Sequence, residues 1–252
     1  MGSLIGSQFR NALAMRMNGT NQYGWVNNPT FKTDTAGCFS FWIKLDAVFA
    51  ANGWQAIIGY GANDAANDAT IVIAVRRTTT TGTGTYLAIN TRTTHGGTNN
   101  GVSGTTTPLV AGVWMHAIVE TNGTTWAMRI NGVTQTMTAW VGSNTGDWLG
   151  DISGASHKMV ISNSYNSNAL GSPWFAGVVD EINYFSAITG AQSTLMYNGG
   201  TPTNPHRVQF GSAWKSWWRC GDSRDTNAIL YDEIGTNNIT LVNMDASNYI
   251  TP

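Results

Sequence analysis

The chain has 252 residues, 42% of them hydrophobic and eleven of them tryptophan, enough to bury one large core or two small ones. Only 11% are charged and the formal net charge is −1, against roughly 25% charged residues in an average soluble domain. That balance leaves no electrostatic footprint for nucleic acid or an anionic membrane. No apolar run reaches the ~20 residues that span a bilayer. The start of the chain also lacks the apolar stretch of a secretory signal, so synthesis in a cytoplasm is expected.

Residues 1–11 read as an N-terminal arm. "MGSLIGSQFR" joins Leu4, Ile5 and Phe9 to Gly and Ser, too short and flexible for a core element, and it is expected to order against a partner's sheet edge. Residues 12–252 show no composition break, Pro-rich linker or internal repeat and read as one domain. In "CFSFWIKL", Phe39, Phe41, Ile43 and Leu45 share one face, and Ser40, Trp42 and Lys44 share the other, the period of a strand with a buried side. The Gly- and Thr-rich segments 76–85 and 91–107 flank the strand-like "YLAIN" and read as long exposed loops. "VWMHAIVET" alternates again, with Val113, Met115, Ala117 and Val119 on its apolar face. Asn122-Gly123 and Asn131-Gly132 then punctuate a three-stranded meander over 113–138 with two-residue turns.

One helix is predicted, from about Gly190 to Asn198, with Thr189 as N-cap and Gly199 as its stop. At under three turns it suits a lid or connector. Many short antiparallel strands over more than 200 residues predict an all-β chain folded as a two-sheet jelly-roll sandwich.

Few residues announce chemistry. His95, His116, His157 and His206 are dispersed and lack zinc-ligand spacing. No nucleophile elbow, phosphate loop or Cys-His motif occurs. Cys38 and Cys220 are expected as free thiols. The loop "GSNTGDWLGDISG" sets Asn144, Asp147 and Asp151 close to Trp140 and Trp148. Exposed indole rings beside hydroxyl acceptors would make a sugar-binding surface. The competing view is that both tryptophans belong to the core, as most of eleven must.

Several segments together resemble a family. "LAMRMNGTNQYGWV", "FSFWIKLD", "WMHAIVETNGTTWAMRINGV" and "FAGVVDEINYFSAITGAQSTLMYNGG" are similar, in order and spacing, to successive motifs of the laminin-G-like, concanavalin-A-like jelly-roll superfamily. Met17 departs from the pattern, standing where an aromatic is usual. The resemblance implies a lectin-like sandwich and gives His116 a structural hydrogen bond. It also places two opening pieces out of order: "WWRCGDSRD" and "YDEIGTNNITL" normally precede the first motif but here follow the helix. Either a circular permutation has moved them to the end of the chain, where they fill their usual places, or they begin a lost second domain. Trp217, Ile229, Ile239 and Leu241 would lack a core in the second case.

Some relatives in this superfamily hydrolyse β-glucans through an E-x-D-x-x-E signature. This chain has only Glu120, Glu181 and Glu233, and no acid has another acid two positions away, so no catalytic residue is expected. Relatives that hold Ca²⁺ in rim loops make calcium the one cofactor to consider, at Asp64, Asn67 and Asp68 or at the 144–151 loop. The C-terminal segment is also similar to parts of tailed-bacteriophage structural proteins. The resulting expectation is a non-enzymatic virion protein, a capsid decoration or fibre module, oligomeric among other virion proteins. The alternative is a lectin-like module for host glycans.

Overall fold

The computed structural model describes residues 11–48, 53–77, 84–171, 173–202, 210–222 and 224–252. In chain order its strands begin with β1 (Ala14–Asn18), β2 (Tyr23–Asn27), β3 (Gly37–Leu45), β4 (Trp54–Ala62) and β5 (Thr70–Arg77). They continue with β6 (Thr85–Arg92), β7 (Asn100–Gly104), β8 (Met115–Thr121), β9 (Trp126–Ile130), β10 (Val133–Thr134) and β11 (Met137–Val141). Next come β12 (His157–Ile161), β13 (Tyr165–Asn166), β14 (Ala169–Leu170) and β15 (Ala176–Phe185), then helix α1 (Gly190–Tyr197). The chain closes with β16 (Trp214–Trp218), β17 (Ile229–Leu230), β18 (Ile239–Val242) and β19 (Tyr249–Ile250). The arm residues Leu4, Ile5 and Phe9 lie outside the described residues.

Two large antiparallel sheets form a jelly-roll sandwich. One runs β10-β9-β8-β3-β15-β1-β19, with β16 also on β15; the other runs β11-β7-β6-β5-β4-β12-β2-β18-β17. Phe39, Phe41, Ile43 and Leu45 of β3 face the core that the sheets share with Ile71, Ile73 and Val75 of β5 and Leu87 and Ile89 of β6. An aromatic group ties its centre: Phe31 stacks on Tyr184 at 4.0 Å, and Phe39 meets Tyr184 edge-on at 4.9 Å.

Strand β15 is buried along nearly its whole length. One edge pairs with β3 from Gly177 to Phe185. The other edge is shared: β1 takes Ala176 to Val179, and β16 takes Ile182 to Phe185. A register shift separates the two halves, and there Glu181 adopts the left-handed φ of 48° at a bulge. The C-terminal segment therefore sits inside the sandwich, as permutation requires. It supplies β17 and β18 to the second sheet, and Ala14 of β1 pairs with Ile250 of β19. Trp217, Ile239 and Leu241 are buried and Ile229 is half-buried.

Asp232 holds that segment in place. The D-x-x-G turn is drawn around its buried carboxylate, which accepts from the backbone amides of Ile234, Gly235, Asn237 and Trp217 and from the Ser216 hydroxyl.

Helix α1 follows its sequence signals. Thr189 and Gln192 form a reciprocal capping box, and Asn198 closes the helix at φ 46°. The helix covers the outer face of the first sheet: Met196 joins a cluster with Cys38, Ile118, Phe185, Trp214 and Trp217, and the Tyr197 ring stacks near Trp42. Cys38 and Cys220 are free and buried in separate clusters.

Three local expectations need correction. Strand β8 starts at Met115, and Val113 is exposed, because the chain turns at Gly112 with φ 75°. Asn131-Gly132 does form the two-residue turn, with φ 50° and 76° between Ile130 and Val133. Asn122-Gly123 lies instead in a four-residue connection, where the Asn122 side chain accepts from the amides of Thr124 and Thr125. Segments 76–85 and 91–107 are not all loop: Arg76 and Arg77 end β5 and Thr85 opens β6, and the second segment contains β7, paired on both sides. Glycines make that strand: a Cβ on Gly101 would sit 2.5 Å from the Trp140 ring, and one on Gly104 2.8 Å from the Gln135 side chain.

Asp232→Ala would strand the buried amides of Trp217 and Asn237 and the Ser216 hydroxyl, and would release the less buried amides of Ile234 and Gly235. It should lower stability by on the order of 3 kcal/mol or more in urea unfolding, since buried donors left without partners cost about 1–3 kcal/mol each. A loss below about 1 kcal/mol would show that water replaces the carboxylate.

Candidate functional site

The residues singled out around the 140–151 loop do not form one surface. Trp148 is fully buried, tilted against Phe39 at 5.8 Å, and its indole N–H donates to the Tyr184 hydroxyl. It is a core residue, because the 3₁₀ turn at Leu149–Asp151 folds it between the sheets. Asn144 substitutes for a strand neighbour: its amide oxygen accepts from Trp126 N and its amide donates to Trp126 O. Asp147 accepts from the Thr145 and Thr91 hydroxyls, and Asp151 accepts from the Trp148 amide. These polar groups hold the loop that inserts Trp148.

The other acidic loop is likewise occupied. Asp68 pairs with Arg92 and accepts from the Gly96 amide, which together hold its carboxyl below the usual range. Asn67 donates to the Ser153 carbonyl and Asp64 accepts from the Ala66 amide. Among the described residues no group of three or more His, Cys, Asp or Glu side chains converges as metal ligands.

Trp140 leads elsewhere. In β11, Ala139 pairs with Val102 and Val141 with Gly101, so Trp140 is the extra residue of a bulge. Bulges re-aim side chains, and this one lays the indole against Gly101 on the outer face of the second sheet, where only glycine leaves room. Cross-strand partners share a face, so the pairings define that surface in three rows. The outermost is Trp54, Arg76 and Tyr86. The middle row is Ala56, Ala74, Ala88 and Ser103, and the third is Gly59, Val72, Asn90 and Gly101.

Small side chains in the middle row make a trough of about 300 Å³ between Trp54 and Trp140, lined also by Val72, Arg76 and Asn90. Arg76 reaches from β5 across β6 and β7 to stand 3.6 Å from the Trp140 ring centre. The Asn90 amide donates to the Asn100 carbonyl. Trp140 was visible in the sequence, but its neighbours were not. Trp54, Arg76 and Asn90 come from three different strands, and only pairing register brings them together. Alternation within 70–77 was the one available signal, placing Val72, Ala74 and Arg76 on a common face.

The buried titratable groups serve the fold. Asp180 accepts from the Asn11 side chain and the Glu181 amide; Glu181 accepts from the Trp217 indole and pairs with Arg219, which also bridges to Asp222. Burial, then their mutual repulsion, raises the Asp180 carboxyl; burial raises that of Glu181, against the opposing pull of Arg219. His116 shares a 2.8 Å hydrogen bond with the Ser40 hydroxyl, the structural role expected of it, and burial lowers its pKa to about 3.

That depressed value has a definite sign. The folded state keeps His116 neutral, whereas the unfolded chain takes up a proton below about 6.5, so stability from this group is lost as pH falls from about 6.5 towards about 3. The stability gap between the wild type and His116→Gln should narrow on acidification from pH 7 to pH 4, by up to about 1.4 kcal/mol per pH unit. A gap constant with pH in parallel denaturation series would mean that His116 titrates normally in the fold.

No family model matches the chain, and no curated protein matches it in sequence. Solved structures do resemble it. A Bacteroides ovatus protein provisionally described as carbohydrate-binding aligns with TM-score 0.61 and 17% identity, over 100% of this chain and 65% of its own. The CBM40 domain of a Ruminococcus gnavus IT-sialidase, bound to α2,3-sialyllactose, aligns with TM-score 0.55 and 12% identity, over 73% of this chain and 96% of its own. Tailspike protein 2 of the Escherichia coli O157:H7 bacteriophage CAB120 aligns with TM-score 0.52 and 13% identity, over 89% of this chain and 32% of its own. At these identities the likeness is one of fold, a jelly-roll sandwich. Among the described residues no helix is long and apolar enough to cross a membrane.

Proposed function

We propose that this protein is a non-enzymatic carbohydrate-binding module whose ligand lies in the trough between Trp54 and Trp140. The observation that carries this reading is the unequal treatment of the two outer faces. Helix α1, with Phe210 and Ile234, covers the first sheet, while the second keeps a recess with indole walls, a floor of small residues and polar groups at Arg76 and Asn90. Aromatic faces suit the C–H faces of a pyranose, and the polar groups suit its hydroxyls. The volume lies at the low end of the ~300–1,000 Å³ typical of small-molecule sites, which fits one sugar ring better than a long polymer. Carbohydrate-binding domains among the similar folds support the same class. The trough has no carboxylate in its lining, whereas glycosidic cleavage ordinarily needs two, and this supports binding without catalysis.

Glycan-array screening followed by calorimetry tests the proposal. A glycan that binds the wild type should bind Trp140→Ala at least about tenfold more weakly, about 1.4 kcal/mol. Gly101→Ala, which forces the indole off the sheet, should act the same way. Equal affinity in both variants would remove the trough from consideration.

A second reading places the module on a virus particle as an attachment or decoration domain, and the tailspike likeness favours it. The two roles are compatible, since attachment domains can act by binding host glycans. Mass spectrometry of purified particles would decide the matter.

A further inference from the structure

Among the described residues Arg76 is the only charged side chain lining the trough, and no carboxylate answers it. All fourteen acidic residues of the chain fall within the described residues. Their ion pairs involve Arg16, Arg92, His95, Arg129, Arg219 and Arg224, not Arg76. Its Nη1 is buried with no hydrogen-bond partner, although the side chain as a whole is only half-buried. Burial accordingly lowers its pKa. A partly desolvated cation without a counter-charge is unfavourable in a folded chain unless something else requires it.

Its surroundings fix the guanidinium for use. Trp140 takes one face of the planar group at 3.6 Å, a cation–π arrangement that leaves the in-plane N–H edge for hydrogen bonding. The rest of the lining is neutral: Trp54, Val72, Ala74, Ala88, Ile89 and Asn90. An anion entering the trough therefore meets a fixed guanidinium and no opposing negative charge; because Nη1 is buried, a carboxylate would pair with the Nε and Nη2 edge. Planar guanidinium matches a planar carboxylate through two parallel hydrogen bonds, and such charge-assisted pairs are about twice as strong as neutral ones.

From this geometry we infer that the trough selects an acidic sugar, a pyranose carrying a carboxylate, with Arg76 as the residue that reads the acid group. The inference rests on the proposed glycan site and adds its ligand class. Trp140 holds the guanidinium in place, and Trp54 is the indole left for the ring of the sugar to stack on. A neutral sugar fits the same trough but leaves the Arg76 donors without an ionic partner.

The test uses intact protein and matched ligands in calorimetry: 3′-sialyllactose against lactose, and trigalacturonate against its fully methyl-esterified form. The first pair probes a nonulosonic acid and the second a uronic acid. The wild type should bind the acidic member of at least one pair ten times or more tighter than its neutral counterpart, and that preference should shrink as salt increases. Arg76→Gln should bring the ratio close to one without lowering the melting temperature appreciably. Arg76→Lys, which keeps the charge but not the fork, should fall between.

Equal binding of acidic and neutral members by the wild type, or a preference that persists in Arg76→Gln, would overturn the inference while leaving the glycan site standing. So would tighter binding of 3′-sulfolactose than of 3′-sialyllactose, which would assign the site to sulfated sugars. Absence of glycan binding both on the array and to these probes would remove the proposed function and this inference together.

Discussion

The pairing of β15 with strands from both ends of the chain is the constraint on which the sandwich depends. A strand buried on both faces must have its backbone groups satisfied along both edges, since unpaired buried amides and carbonyls are costly. One edge of β15 is served by β3 alone. The other needs β1 and β16 in tandem, and the bulge at Glu181 divides the ladder between them. Cooperation between N-terminal and C-terminal segments is therefore built into the central strand. The buried cluster of Asp180, Glu181, Arg219 and Asp222 sits at that junction, where Asp222 accepts the amides of Ala12 and Leu13 and fixes the approach to β1.

The same sandwich treats its two outer surfaces differently, and the difference follows from what each sheet has available. The first sheet carries bulky apolar groups outward, among them Ile118, Phe185 and Trp214, and these require a cover. The second sheet turns mainly Ala, Gly, Ser and Val outward along β4–β7. These small groups are buried all the same, Gly59 beneath Asn163 and Ser164, and Ala74 and Ala88 at the foot of the trough. A concave surface with aromatic residues at its margins is the result.

The sequence made the architecture legible wherever alternation was strict. Phe39, Phe41, Ile43 and Leu45 face the core as the period of two required, and Thr189, Gln192 and Asn198 delimit the helix by local chemistry alone. Asp232 shows why the D-x-x-G segment was recognisable: its carboxylate needs those backbone amides at that spacing. Strand β7 was hidden because its glycines and serines serve tertiary packing, and local propensity counts against them in a strand. Trp148 was ambiguous for a related reason. A tryptophan among small polar residues looks the same in a chain whether the loop carries it outward or folds it inward, and Phe39 and Tyr184 decide the outcome from far away in sequence. The trough shared that fate, since Trp54, Arg76, Asn90 and Trp140 meet only through cross-strand register.

The bulge at Trp140 has an effect beyond the placement of one ring. Strand β11 pairs only with β7 and so forms a margin of the nine-stranded sheet. Among the described residues no strand pairs with its other side. An unbroken margin of that kind is a template on which another chain can add a strand, the usual beginning of sheet-to-sheet aggregation. The extra residue interrupts the regular spacing of those groups and twists the strand away from a flat edge. The kink that aims an indole over the trough thus also breaks the regularity of the sheet at this border.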